Sequence, residues 1–137
     1  KSNADDVKTI SKSKLEKMDM YERLEYRFPF YKMDVNGYIV HIKEAMKLYM
    51  PDKLLFNIKS IDLESLQTAF KNYKSWDELN NPESDFVKFL KETCSSENPY
   101  EEKILFSSQK LRNLGILWCN GSAKEKAFEF YDVIQDN

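Results

Sequence analysis

The sequence predicts an all-α domain of about six helices, and it leaves open one short β hairpin near residues 30–42. Three observations predict this fold class. Only three glycines and four prolines occur in 137 residues, which favours long regular elements over a loop-rich β fold. Apolar residues recur at three- and four-residue spacing along most of the chain. Helix-capping residues stand directly before several of these apolar stretches.

The six predicted helices are separated by prolines, by Asn-Pro pairs and by an Asn-Gly pair. Their predicted bounds are residues 7 or 11 to 27, 38 or 39 to 49, 62 onward, 82 to 93, 99 to 119 and 123 onward. Pro29 ends the first helix, because the residue before a proline is driven out of the α region. Asn81 and Asn98 each precede a proline, which is a strong signal for a helix start.

The last two helices are joined by the clearest signals in the chain. Asn120-Gly121 predicts a left-handed residue at the end of the fifth helix. Ser122 and Glu125 have the spacing of a capping box that opens the last helix. That helix carries Ala127, Phe130, Tyr131 and Ile134 on one side. We also predict that Phe89 and Trp118 are core residues, since both lie on apolar helix faces.

Composition is that of one folded domain. Hydrophobic residues make up 42% of the chain and aromatic residues 14%, which is enough to build a core. Residues 1–4 are interpreted as the remnant of a cleaved tag, and residues 5–137 as a single helical domain. Because the last apolar pattern is interrupted at the final residue, we expect this domain to be a fragment of a longer protein.

Charge and residue usage exclude several classes of function. The net charge is −2, and lysines alternate with acidic residues, so there is no basic patch for nucleic acid. No apolar run approaches the ~20 residues that span a bilayer. Cys94 and Cys119 lack CxxC spacing, and one histidine is too few for a zinc site. Two lone cysteines favour a reducing, cytoplasmic location.

The segment "DVNGYI" resembles the centre of a calmodulin-type EF-hand calcium loop. Such loops carry oxygen ligands at alternating positions and a glycine at the sixth position. If Gly37 takes the sixth position, Asp34 and Asn36 are side-chain ligands and Tyr38 offers its carbonyl. Ile39 then takes the aliphatic position that packs beneath the loop. The resemblance implies a helix–loop–helix unit with these five residues as its degenerate calcium loop.

Two departures from the family pattern predict that this loop does not bind calcium. Lys32 and Lys43 stand where the family has Asp and a bidentate Glu. Glu44 comes one residue late, and about 100° of helix rotation points it away from the site. We therefore expect no calcium binding at physiological levels, with Gly37 kept for shape. Asn-Gly between apolar runs also favours a hairpin over residues 28–42, and the residues alone leave both structures open.

The C-terminal segment "LRNLGILWCNGSAKEKAFEFYDVIQDN" resembles the helix pair that precedes and enters an EF-hand in some larger proteins. Phe128, Tyr131 and Ile134 are typical of such an entering helix. The resemblance implies a calcium loop that begins near Asp136 and Asn137 and lies beyond the chain. Calcium as a cofactor is therefore expected only in the longer protein. The residues themselves equally describe a capped amphipathic helix.

Catalysis has little support in the sequence. The chain has no Gly-rich phosphate loop and no GxSxG motif. His41 is the only possible imidazole base, and we expect it to be partly buried or on the surface without a role. We expect Cys119 in the core and Cys94 in an exposed loop, with no catalytic residues and no metal site.

These observations favour a non-enzymatic regulatory or protein-interaction domain, EF-hand-like in part. Its partner would be another protein or a neighbouring domain of the same chain, bound on an apolar surface between helices. Two alternatives remain open at this point. One is a calcium sensor whose working loop lies beyond Asn137, and the other is a small-molecule-binding helical domain with an aromatic pocket. A contiguous exposed apolar patch would favour the interaction domain.

Overall fold

The computed structural model describes residues 24–96 and 103–135, and α-helices dominate both stretches. The helices are α1 (Leu24–Arg27), α2 (Val35–Tyr49), α3 (Leu63–Ala69), α4 (Asp85–Cys94), α5 (Ser108–Trp118) and α6 (Ala123–Gln135). Short 3-10 helices cover Pro29–Lys32, Leu55–Asn57 and Lys74–Asn80. The all-α class is confirmed. Of the first predicted helix, residues before 24 lie outside the described part.

Two helix–strand–helix units form the frame of the fold. Strand β1 (Ser60–Asp62) stands between α2 and α3, and strand β2 (Leu105–Ser107) stands between α4 and α5. The two strands pair antiparallel, with Ile61 opposite Phe106. Residues 50–62 and residues 95–107 are connections of equal length. The units are thus joined through their connections, and their four helices enclose one core.

Most helices begin at a side chain that accepts a hydrogen bond from the first turn. The first free amides of a helix have no partner within it, and a short polar side chain before them supplies one. The capping residues are Asp34, Asp62, Ser84, Ser107 and Ser122. The capping box is complete, because the backbone amide of Ser122 also donates to Glu125 Oε1 over 3.2 Å.

An aromatic cluster centred on Phe30 fills the space between the two units. Phe30 is fully buried, and its ring lies 5.2–5.8 Å from four other aromatic rings. These belong to Tyr38, Trp76, Phe86 and Trp118. Phe89 is buried as predicted, and it stacks on Trp118, which is partly buried against the core. The 3-10 turn Pro29–Lys32 therefore inserts its central side chain among α2, α4 and α5.

The hairpin considered for residues 28–42 does not form, and the two-stranded pairing lies elsewhere. Asp34 caps α2, which starts at Val35, three or four residues before its predicted start. The helix predicted over 99–119 is also shorter than expected, because residues 105–107 pair with β1 and Ser107 caps α5. Its predicted start at Asn98 lies outside the described residues.

Three local predictions are wrong for identifiable reasons. Asn81 closes a turn by accepting from the amide of Glu83, and Ser84 caps α4 instead. Gly121 has no left-handed backbone; the absence of a side chain matters there because an added Cβ would lie 2.7 Å from Val35 Cγ1. Cys94 is buried, since α4 extends to it and the next residue bridges to Phe106.

Candidate functional site

The segment 34–39 forms the start of α2 in this structure. Asp34 Oδ2 accepts hydrogen bonds from the backbone amides of Asn36 and Gly37, at 3.1 and 3.3 Å. Gly37 lies within the first turn, and an added Cβ there would meet no atom within 4 Å. The oxygen that the EF-hand alignment assigns to calcium therefore caps the helix. The prediction that Lys32 to Lys43 does not bind calcium stays a prediction, to be tested by isothermal titration.

The other residues of this segment connect α2 to α5 and α6. The side-chain amide of Asn36 donates from Nδ2 to Glu125 Oε2 over 2.6 Å. The hydroxyl of Tyr38 donates to the carbonyl of Leu111 over 2.6 Å inside the core. Burial raises the pKa of Tyr38 well above its ordinary value, so this hydroxyl keeps its proton. Ile39 is also buried. The segment is a structural junction of three helices.

The face of α6 that meets the rest of the domain is largely polar. Lys43 Nζ donates to Asp132 Oδ2 over 3.2 Å, and Asn36 binds Glu125. Burial raises the pKa of Glu129, while the positive charge of Lys43 acts in the opposite direction. Val133 is the one fully buried side chain of α6. Polar contacts from α2 thus hold this helix against the domain.

The opposite face of α6 is apolar and exposed to solvent. Phe130 is 49% exposed, Tyr131 63% and Ile134 50%, and Phe128, farther round the helix, is 71% exposed. Ala127 is exposed as well. The sequence correctly predicts that Ala127, Phe130, Tyr131 and Ile134 share one side. The structure adds that this side points away from the core.

The spacing of the exposed residues is that of a helix-packing seam. Ala123, Ala127, Phe130 and Ile134 follow one another at intervals of four, three and four residues. At about 100° per residue, these four positions stay within one narrow stripe of the helix surface. A stripe with this alternation fits against the stripe of a second helix. The outer face of α6, defined by these four residues together with Tyr131, is the candidate functional site, and Phe128 lies at its far flank.

Other exposed apolar side chains are spread over the surface. Phe56 is 55% exposed and lies on the 3-10 turn Leu55–Asn57, next to exposed Leu54. Val40, Leu48 and Leu117 are single exposed residues on other helices. Isolated apolar residues are ordinary on protein surfaces. Phe56 therefore serves as a comparison residue for the outer face of α6.

His41 belongs to a small polar group at the edge of the core. Its Nε2 lies 2.7 Å from the hydroxyl of Tyr73, and its Nδ1 lies 3.4 Å from Glu44 Oε2. The imidazole also packs edge-on to the Tyr73 ring, at 4.9 Å between centroids. These contacts attach the middle of α2 to the turn after α3. That His41 has no catalytic role stays a prediction.

Both cysteines are buried and free. Burial raises the pKa of the Cys119 thiol to about 12, and burial also raises the pKa of Cys94. A protonated thiol is a poor nucleophile and a poor metal ligand. Cys119 is a core residue as predicted. Neither side chain is placed to react with a molecule in solution.

Metal and small-molecule sites have weak support in the described residues. Across residues 24–96 and 103–135, no three His, Cys, Asp or Glu side chains are grouped so that they could hold a metal ion. One surface cleft lies beside Phe28 and Phe89 and is bordered by the ion pair of Arg27 and Asp85. That cleft carries no buried polar group that converges on a ligand.

No family model, curated protein or solved structure matches this chain. In the part that the structure describes, no helix combines the length and the apolar character needed to cross a membrane. The fold and the site define a mainly helical protein in which two paired helix–strand–helix units support an outward-facing apolar helix.

Sequence reasoning identified the stripe of α6 but did not predict its direction. A signal for the direction is present in the sequence. Glu125, Glu129 and Asp132 form an acidic stripe at helical spacing on the other side of the helix. An acidic stripe is usually assigned to solvent, yet here it meets Lys43 and Asn36. Only the position of those partners reveals which stripe faces inward.

Proposed function

We propose that this chain is a non-enzymatic protein-interaction domain, an EF-hand-like helical module in which the calcium-loop-like segment, residues 34–39, begins a helix. Its outer face of α6 binds an amphipathic helix, which belongs to another protein or to a neighbouring domain of the same chain. The observation that carries this proposal is the exposure of Phe130, Tyr131 and Ile134 on one side of one helix.

The physical reason is the cost of apolar surface in water. Burial of apolar area contributes about 25 cal/mol per Å², and an aromatic side chain carries about 150–250 Å². Burial of the exposed aromatic side chains on this short helix would therefore contribute a favourable free energy of association. Aromatic residues are also enriched in the centres of protein interfaces. A helix laid along the stripe would cover Phe130, Tyr131 and Ile134 together.

The contacts beneath α6 support its role as a presenting element. The capping box at Ser122 and Glu125 starts the helix, and Glu125 is also bound to Asn36. Farther along, Asp132 is bound to Lys43 and Val133 is buried. The helix is thus fixed near both ends from its polar side. A surface fixed in advance loses less conformational entropy when it binds.

The paired units support the EF-hand-like part of the proposal. An EF-hand consists of two helices on either side of a short loop. Here α2–β1–α3 and α4–β2–α5 have connections of equal length and pair through antiparallel strands. Asp62 and Ser107 occupy matching positions, since each ends its strand and caps the next helix. The arrangement supplies shape without requiring an ion.

Binding of a labelled amphipathic peptide tests the proposed function. A set of fluorescein-labelled helical peptides with leucines at i, i+3, i+4 and i+7, differing in flanking charge, is titrated with the protein and followed by anisotropy. We expect saturable binding of at least one peptide. We expect Tyr131→Lys to weaken it at least about tenfold, because a charge would be placed in the seam.

Phe56→Lys is the matched control, since Phe56 is an exposed aromatic residue on a different element. It should leave the dissociation constant unchanged. The proposal fails if none of the peptides binds, or if Phe56→Lys and Tyr131→Lys weaken binding equally. Circular dichroism of both variants establishes that the fold is retained.

A further inference from the structure

The seam of α6 is complementary in size to a second copy of itself. Its N-terminal half carries small residues, Ala123 and Ala127, and its C-terminal half carries large ones, Phe130 and Ile134. When two such helices run antiparallel about a two-fold axis at the middle of the helix, Ala123 meets Ile134 and Ala127 meets Phe130 of the other copy. Each large side chain is then opposed by a small one. In a parallel pair, Phe130 would instead meet Phe130.

We infer that the occupant of the outer face of α6 is a second copy of this chain, in an antiparallel two-fold dimer. This inference rests on the proposed function, since it names the partner of the same surface. A two-fold interface requires that residue i contacts j while j contacts i. The positions 123 and 134, and the positions 127 and 130, are symmetric about one point of the helix, which satisfies this requirement.

The flanks of the seam are consistent with the same arrangement. A two-fold axis perpendicular to both helices brings each flank of α6 against the same flank of its partner. Phe128 and Tyr131 lie on one flank, and both are more than 60% exposed. Tyr131 is the nearer of the two to the seam, and antiparallel pairing brings the Tyr131 side chains of the two copies together near the axis. Aromatic contacts of this kind favour association beyond their area alone.

The available area indicates a weak, reversible dimer. The four seam residues and Tyr131 would remove at most on the order of 1,000 Å² of surface from water across both copies, which is the lower limit of specific interfaces. We therefore expect monomer and dimer to exchange, with a dimer fraction that rises with protein concentration. Such a dimer would also be displaced by an excess of a suitable amphipathic helix.

Exchanging the small and large residues tests the pairing directly. Sedimentation velocity is measured over a wide concentration range for the wild type, Ala127→Phe, Phe130→Ala and the double variant. Ala127→Phe opposes two large side chains, and Phe130→Ala leaves a gap. We expect each single change to weaken dimerisation about tenfold or more, and the double variant to recover most of the wild-type affinity. All of these side chains are exposed, so the monomer fold should survive, as checked by circular dichroism.

The possible outcomes test the antiparallel geometry, the dimer and the proposed function separately. Recovery in the double variant supports the antiparallel dimer, because an unrelated partner helix would not be restored by a change in this chain alone. A double variant as weak as the worse single variant overturns the inferred geometry. A wild type that stays monomeric up to ~1 mM overturns the dimer. If a monomeric wild type still binds an amphipathic peptide through Tyr131, the proposed function stands and only this inference falls.

Discussion

At the scale of single residues, the absence of a side chain at Gly115 allows α2 and α5 to approach each other closely. The ring of Tyr38 lies against Gly115, where an added Cβ would overlap two carbons of the ring. This approach lets the Tyr38 hydroxyl reach the carbonyl of Leu111. The glycine is therefore required for space, since its backbone has no positive φ.

Gly115→Ala should destabilise the protein, because the methyl group and the buried ring cannot both be accommodated. We expect a loss of about 1–3 kcal/mol in the free energy of unfolding, as for overpacked cores. Gly37→Ala is the matched control in a helix with open space around it, and it should be neutral or stabilising by up to about 1 kcal/mol. Urea denaturation of both variants measures the difference. Equal effects would show that Tyr38 does not pack on Gly115.

The buried thiol of Cys119 should make stability fall at alkaline pH. Its folded-state pKa is about 12, above the ordinary value of 9.0. As pH rises between these values, the unfolded chain loses the proton first, so the contribution present below pH 9 is progressively lost. The slope amounts to at most about 1.4 kcal/mol per pH unit for one proton.

Denaturation under reducing conditions, measured between pH 8 and pH 11, tests this prediction. Cys119→Ala should show a shallower decline of unfolding free energy than the wild type, although Tyr38 and Cys94 add to the decline in both. At pH 8 the two proteins should depend on pH in the same way. Identical slopes over the whole range would contradict the assigned burial of the thiol.

At the scale of elements, two strands and their helix caps join the halves of the fold. Asp62 ends β1 and caps α3, with its carboxylate accepting from the amide of Ser65 over 2.9 Å. Ser107 does the same between β2 and α5. Each junction therefore couples strand pairing to the start of a helix. A strand of three residues is long enough for this coupling.

Asp62→Ala should remove a hydrogen-bond acceptor from the start of α3 and cost about 0.5–2 kcal/mol of stability. Asp62→Asn keeps an oxygen at the same place and should retain most of the stability that the cap contributes. Thermal and chemical denaturation of the two variants provide the comparison. If the Asn and Ala variants lose the same amount, the cap is not what stabilises this junction.

At the scale of the whole molecule, a dense aromatic core lies beside a helix that is attached by polar contacts. Phe30 brings together side chains from α2, α4, α5 and the turn Lys74–Asn80. The attachment of α6 depends instead on Asn36, Lys43 and buried Val133. The core stabilises the fold, while α6 leaves its apolar side free for a partner.

Phe30→Ala should cost about 3–5 kcal/mol, the usual range for a fully buried aromatic side chain. Phe56→Ala is the matched control at an exposed site, and it should stay within about 0.5 kcal/mol of the wild type. Guanidinium denaturation measures both. A small loss for Phe30→Ala would mean that the aromatic cluster is centred elsewhere.

Features that depend on residues close together in the sequence were predictable, and features that depend on distant residues were not. The capping box at Ser122 and Glu125 was predictable, because its two hydrogen bonds join residues three apart. The pairing of Ile61 with Phe106 was not, since it joins distant segments whose strands have only three residues. For α6, periodicity identified the residues that share a face. It could not give the direction of that face, which depends on Lys43 from another helix.

Hydroxyl-radical footprinting of the monomer, read by mass spectrometry, tests the orientation of α6 most directly. The protein is labelled in a dilution series, at concentrations where sedimentation shows no association. Phe128, Phe130 and Tyr131 should be modified at rates close to that of exposed Phe56, while buried Phe30 and Phe86 stay protected. Protection of the three α6 aromatics equal to that of Phe30 would contradict the account, because it would mean that α6 packs its apolar face against the core.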